Sequence, residues 1–232
     1  MKNNAIRVLA EIAIFAALGF ALDALEGGIF KGVFPNGGSI GFAMIPVLII
    51  AYRRGMGPGI LCGLILSIVQ MLGGVYVISG KSYDGALSVL APIAQISLDY
   101  VLAYTVVGFA GAFAGMYKHG DNKTKIIAII VGSVIGGLLK YTCHLLSGGL
   151  FWLDPSIEFL GVNGGSWVYT FWYNGLYMIP NIILCTIVMV IIALVYPAFL
   201  NPDAPKEIVN DVEKVEAVEE DSNSESKEES NE

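Results

Sequence analysis

Lys140 and His144 stand one helical turn apart inside an apolar stretch long enough to cross a bilayer, and Asp99 stands inside another such stretch. An ionisable group in hydrocarbon costs roughly 3 kcal/mol even on the lenient insertion scale. Such groups persist where they face a protein interior, pair with one another or bind something polar. A carboxylate, an ammonium and an imidazole within apolar spans therefore predict a membrane protein with a polar pocket. Catalytic and energising signatures are missing. The chain has no phosphate-binding G-x-x-x-x-G-K-[ST], no H-E-x-x-H and no G-x-S-x-G, so it carries no means of hydrolysing ATP. Cys62, Cys143 and Cys185 all fall in apolar segments without metal-ligand spacing and read as packing residues.

Asp99 is followed by Tyr100, and Trp152, Tyr169, Tyr173 and Asn174 lie close to the ends of neighbouring spans. A fixed carboxylate among aromatic rings suits a ligand that is both cationic and flat. The carboxylate supplies the counter-charge, and each ring face attracts a cation by roughly 0.5–2 kcal/mol. Lys140 adds a donor, while His144 and Asn174 can pair with ring nitrogens or an amine. The structural alternatives are an Asp99–Lys140 ion pair inside the bundle and a satisfied core histidine at position 144. Trp172, Tyr177 and Tyr196 read as interfacial anchors. Tyr169 and Asn174 are five residues apart, about 140° around a regular helix, so both face one ligand only if that helix begins irregularly.

The elements that must position these groups follow from hydropathy. Hydrophobic residues make up 55% of the chain and mean hydropathy is +0.68, outside the range of soluble domains. Apolar runs predict helices near 5–25, 39–53, 57–79, 91–117, 124–148 and 167–197, the second short and carrying Pro46. The fold class is thus an all-α integral membrane protein with a six-helix membrane domain over 1–200. Residues 201–232 hold twelve acids against three lysines and no aromatic residue, and read as an acidic disordered cytoplasmic tail. No cleavable signal peptide is evident. Lys2, Arg7, Arg53, Arg54, Lys118, Lys123 and Lys125 fall on one side of the predicted spans, against Lys31 and Lys81 on the other, which places both termini in the cytoplasm. With that orientation Asp99, Lys140, His144, Tyr169 and Asn174 converge near the outer face, and the pocket opens outward. Gly55, Gly59 and Gly63, like Gly132 and Gly136, recur every four residues and read as ordinary close packing of membrane helices. Ala13 and Ala17, with Ala21 a turn further, make another small-residue stripe, suited either to packing within the chain or to docking against another membrane subunit. Six short spans without an evident inverted repeat argue against a self-sufficient transporter.

The segments EIAIFAALGFALD, FPNGGSIGFAMIPVLIIAYRRG, QISLDYVLAY, LLKYTCHLLSGGLFW and WVYTFWYNGLYMIP occur in order over about 1–200. In these the chain resembles the thiamine-specific substrate-binding subunits (S components, the ThiT/YuaJ family) of energy-coupling factor (ECF) transporters. The resemblance implies a six-helix ECF S-component fold in the bacterial plasma membrane. It implies high-affinity thiamine binding from outside, with no cofactor and no nucleic-acid partner. The partners implied are a membrane coupling subunit (T component) and two cytoplasmic ATPase subunits, which alone use ATP in this ABC-type vitamin importer. Carried over by motif, the implied thiamine contacts are Asp99, Tyr100, Lys140, His144, Trp152, Tyr169 and Asn174, and the family's docking pattern falls on Ala13 and Ala17. Asp99 would balance the thiazolium, Trp152 would stack, and Lys140 would meet the hydroxyl end. The chain departs from some relatives at Gly37 and Gly38, where they carry a tryptophan, and in a longer segment from Tyr76 to Asp99, which leaves the roles of Tyr76 and Tyr83 open. Two other readings remain at this stage. One is the same architecture tuned to another vitamin or to the pyrimidine precursor of thiamine; the other is a membrane enzyme using Asp99, His144 and Lys140 as acid–base groups.

Overall fold

The structure is a computed structural model and describes residues 2–35, 37–77 and 84–203. The helices are α1 (Lys2–Ile29), α2 (Ile45–Arg54), α3 (Met56–Leu72), α4 (Leu87–His119), α5 (Asn122–Phe151), α6 (Trp167–Val195) and the single turn α7 (Pro197–Leu200). A two-stranded antiparallel hairpin, β1 (Glu158–Phe159) and β2 (Val162–Asn163), lies between α5 and α6. Helices α1, α4, α5 and α6 are long and apolar enough to cross a membrane. Their outward faces carry large apolar side chains such as Ile14, Val89, Ile183 and Leu194, as a helix facing lipid requires. The expected acidic tail falls, from residue 204 onward, outside the described residues.

The expected spans at 39–53 and 57–79 fall on shorter helices. α2 begins only at Ile45, with Pro46 in its first turn, where proline's fixed φ suits a helix start. Residues 39–44 before it are not helical. α2 is also not a lipid-facing span, because Ile45 to Tyr52 are all buried and form the centre of the core. α3 stops at Leu72, where Gly73 and Gly74 follow, the latter at φ +126°.

The glycine rows are packing surfaces within this chain. A Cβ on Gly63 would lie 2.2 Å from the Tyr104 carbonyl oxygen, and one on Gly108 would lie 2.2 Å from the Ile60 nitrogen. α3 and α4 therefore touch backbone to backbone, a contact only glycine allows. Along this seam α4 leaves regular geometry twice. Ser97–Leu102 is π-helical and Val106–Phe113 is a 3₁₀ stretch. Gly132 likewise makes room for Tyr52, whose hydroxyl donates to the Ala128 carbonyl at 2.8 Å. Asp121 caps α5 through the Thr124 amide at 2.9 Å; hydrogen bonding to Thr124 holds its carboxyl below the usual range.

Two polar clusters lie about 22 Å apart along α1, at 1.5 Å per residue between Glu11 and Glu26. At the first, the Glu11 carboxylate meets Arg7 at 3.3 Å, Arg53 at 3.0 Å and Arg54 at 2.7 Å. Arg53 also donates to the Phe199 carbonyl, and Lys118 Nζ donates to the Arg53 carbonyl at 2.9 Å. These bonds tie α1, α2, α4 and α7 together. The second cluster lines a cavity.

Candidate functional site

The cavity has a volume of about 360 Å³, large enough for a small organic ligand, and all seven expected contact residues line it. Its walls come from α1, α3, α4, α5, α6 and the connection between α1 and α2. That connection is strapped to α6 by Asn181, which accepts from the Gly41 amide at 2.6 Å and donates to the Ser39 carbonyl at 2.8 Å. Tyr173 donates to the Gly37 carbonyl at 2.7 Å, and the Phe42 amide donates to Glu26. Gly41 leaves room for the Glu26 side chain, since a Cβ there would sit 2.0 Å from the Glu26 carboxyl carbon.

Asp99 sits in the π-helical stretch of α4, a departure from regular geometry that recurs at functional sites. Its Oδ2 accepts three hydrogen bonds: from Gln95 Nε2 at 2.8 Å, Ser147 Oγ at 2.7 Å and Trp152 Nε1 at 3.1 Å. Its Oδ1 lies 3.5 Å from His144 Nδ1. The Asp99–Lys140 pair is therefore not formed; His144 is the basic group beside the carboxylate. Lys140 is buried instead over another ring, with Nζ 3.5 Å above the centre of the Tyr104 ring. Asp23 and Glu26 line the cavity too. Asp23 accepts from Tyr104 at 2.7 Å and from Gln70 Nε2 at 2.8 Å. The cavity thus holds three carboxylates, one lysine and one histidine, a balance that favours a cation.

The aromatic groups are tied into the cavity wall by partners within the chain. Trp152 turns its ring edge to Asp99, and its ring lies 5.9 Å from that of Tyr76. The Tyr100 hydroxyl accepts from the Tyr76 amide at 2.7 Å, and Gln95 donates to the Tyr76 carbonyl at 3.1 Å. Tyr76 accordingly belongs to the wall, whereas Tyr83 lies outside the described residues. Tyr177 is not an interfacial anchor. It is buried, donates to Asn174 Oδ1 and packs edge-on against His144. Trp172 and Tyr196 are exposed. Tyr169 and Asn174 both line the cavity although α6 begins regularly at Trp167. The reason is a wide buried arc: Tyr169 stacks on Tyr173 at 5.5 Å, while Thr170 holds the Asn174 amide at 2.9 Å, so adjacent faces of one helix enclose the site.

Ala13 and Ala17 are exposed on α1 and do not line the cavity. Asp23, Glu26, Gln70, Gln95 and Tyr104 were not anticipated. Gln95 stands four residues before Asp99, the spacing that places two side chains on one helix face, and that was the available signal. Asp23 and Glu26 end the first apolar run, where acids read as ordinary boundary charges.

A family profile described as "Thiamine transporter protein (Thia_YuaJ)" matches residues 9–201. The chain is 33% identical over 199 residues to "Thiamine transporter ThiT" of Bacillus subtilis (strain 168), covering 84% of this chain and 94% of that one. It is 30% identical over 201 residues to "Thiamine transporter ThiT" of Lacticaseibacillus paracasei, covering 84% and 91%. A solved structure of ThiT from Listeria monocytogenes superposes with a TM-score of 0.69 at 24% identity, covering 86% of this chain and all of that one, a likeness of fold.

Proposed function

The chain belongs to the Thia_YuaJ thiamine transporter family, and from that premise we propose that it is the thiamine-binding subunit of an ATP-driven importer of the ECF type. It is a multi-pass bacterial membrane protein of a transporter family, not an enzyme. The observation that carries the reading is the cavity's charge balance: Asp99, Asp23 and Glu26 face a single lysine and a histidine among six tyrosines and Trp152. Thiamine offers a permanently positive thiazolium, a flat aminopyrimidine and a hydroxyethyl arm. Asp99, held by three donors, is a fixed counter-charge for the thiazolium. Tyr100, Trp152 and Tyr169 supply apolar ring area, and Lys140, His144 and Asn174 supply polar contacts. The seven residues are assigned as thiamine contacts on these grounds.

The finer architecture follows the same premise: six membrane helices, both termini in the cytoplasm, and a cavity open to the outside. The clustering of Arg7, Arg53, Arg54 and Lys118 at the end of α1 away from the cavity supports this orientation. Energy then comes from partners, a membrane coupling subunit and two cytoplasmic ATPases. Ala13 and Ala17, exposed on α1, are assigned to docking with the coupling subunit.

Competition between thiamine and its uncharged pyrimidine moiety tests the reading. A counter-charge site prefers the cation by about 100-fold, the scale of one buried charge interaction. Equal affinities would refute a thiamine site built around Asp99.

A further inference from the structure

Gln95 is uncharged and has no exposed surface, yet it joins two parts of the cavity wall. One NH₂ group serves both. Gln95 Nε2 donates to Asp99 Oδ2 at 2.8 Å and to the Tyr76 carbonyl at 3.1 Å. Both partners are acceptors, so the amide cannot be flipped. Its Oε1 is buried without a partner, and what this side chain contributes it contributes through the NH₂. Gln95 stands four residues before Asp99, on the regular part of α4 just ahead of the π-helical stretch. That spacing lets one side chain reach the other.

The two acceptors are held to different degrees. Asp99 has further donors in Ser147 and Trp152. Val75, Tyr76 and Val77 are all exposed, so burial does little to fix this stretch beyond the end of α3. What fixes it is polar: the Gln95 bond to the Tyr76 carbonyl, and the bond from the Tyr76 amide to the Tyr100 hydroxyl at 2.7 Å. Trp152 completes a circuit, since its ring lies 5.9 Å from that of Tyr76 and its Nε1 donates to the same Asp99 oxygen as Gln95. The attraction between a carboxylate and a cation falls with distance. A counter-charge therefore works only as well as its supporting bonds hold it in place. We propose that Gln95 is a positioning residue for ligand binding: its buried NH₂ holds the Asp99 carboxylate in place for a cationic ligand and seats the Tyr76 main chain against α4. The proposal rests on the thiamine reading above and deepens it. Gln95 does not touch the ligand; it acts through Asp99 and Tyr76, so that the counter-charge and the neighbouring wall are set together.

The test uses Gln95→Met, which fills a similar space without a donor. Gln95→Asn is the second variant, should the first not fold; its amide is one methylene too short to reach both acceptors. Equilibrium dialysis measures the affinity of the wild type and each variant for thiamine and for its uncharged pyrimidine moiety. The readout is the ratio of the two affinities within each protein. A general loosening of the fold weakens both ligands alike and cancels in that ratio, whereas a displaced counter-charge weakens only the cation. Both variants should lower the thiamine-to-pyrimidine ratio by about 10-fold, the scale of one hydrogen bond to a charged group. Added to Asp99→Asn, Gln95→Met should leave the ratio unchanged within about twofold, because the two residues act as one unit. Amide hydrogen exchange over residues 75–77, read without ligand, should quicken in both variants. A wild-type ratio in a folded variant would overturn the proposal. So would a ratio lowered as much with Asp99→Asn as without it, or unchanged exchange over 75–77. Failure of the wild type to bind thiamine at all would overturn the thiamine reading and is a separate result, with the exchange measurement still reading the tie between Gln95 and Tyr76.

Discussion

The two ends of α1 hold two carboxylate clusters of opposite character. At Glu11 every oxygen is matched: three arginines surround one carboxylate, and Arg53 has a further partner in the Phe199 carbonyl. Near Glu26 the matching is incomplete. Three carboxylates share a cavity with one lysine and one histidine. The first cluster is finished as it stands and ties α1 to α2, α4 and α7. The second carries an excess of carboxylates, which the proposed cationic ligand would offset. Polar groups in hydrocarbon serve either purpose, and the difference lies in whether the chain itself supplies the missing partners.

The comparison predicts that substitutions at the two ends separate stability from binding. The largest effect is expected for Asp99→Asn, which removes the counter-charge and reverses the hydrogen-bond demand of three donors. Thiamine affinity should fall by about 10- to 100-fold in a fluorescence titration, while the melting temperature in detergent changes little. Glu11→Gln should do the converse. It strands Arg53 and Arg54 and should cost about 3 kcal/mol of stability, read as a lowered denaturation midpoint. Its thiamine affinity should stay within about twofold, because distant sites act independently.

Gly63→Ala sharpens the contrast by striking between the two ends. Its methyl group would fall 2.2 Å from the Tyr104 carbonyl oxygen, and that contact is backbone, which cannot rotate away. A loss of about 1–3 kcal/mol in stability is expected, with weaker thiamine binding alongside, since Tyr104 lies beneath Lys140 and holds Asp23. Stability lost without any change in affinity would show that the seam and the cavity are independent. Trp152→Phe is the mildest. It keeps an aromatic ring, though a smaller one than indole, and removes one hydrogen bond to Asp99, so affinity should drop by about 3- to 10-fold.

Much of the site was legible because charge inside an apolar run is conspicuous. Asp99, Lys140 and His144 announced themselves, and helical spacing grouped the latter two on one face. What stayed hidden has physical causes. Asp99 pairs with His144 rather than Lys140 from within a π-helical turn of α4, and no sequence pattern marks either feature. Gln70 and Gln95 carry no charge, so their burial gave no warning. Tyr177 looked like an anchor because a tyrosine near a span end satisfies either role, and only the packing of α6 against the strap at Gly38 decides. α2 illustrates the limit for the fold. Its composition fits a lipid-facing helix and a core helix equally well, and the structure buries it completely from Ile45 to Tyr52.

The most direct test is a titration of the purified chain with thiamine in detergent, without partner subunits and without ATP, followed by intrinsic tryptophan fluorescence. Trp152 lines the cavity and Trp167 begins the helix that closes one side of it. The account predicts a saturable change in emission at low thiamine concentration with a stoichiometry of about one ligand per chain, the number that one such pocket holds. Unchanged emission, in protein shown to be folded and to bind no thiamine in equilibrium dialysis, would contradict it.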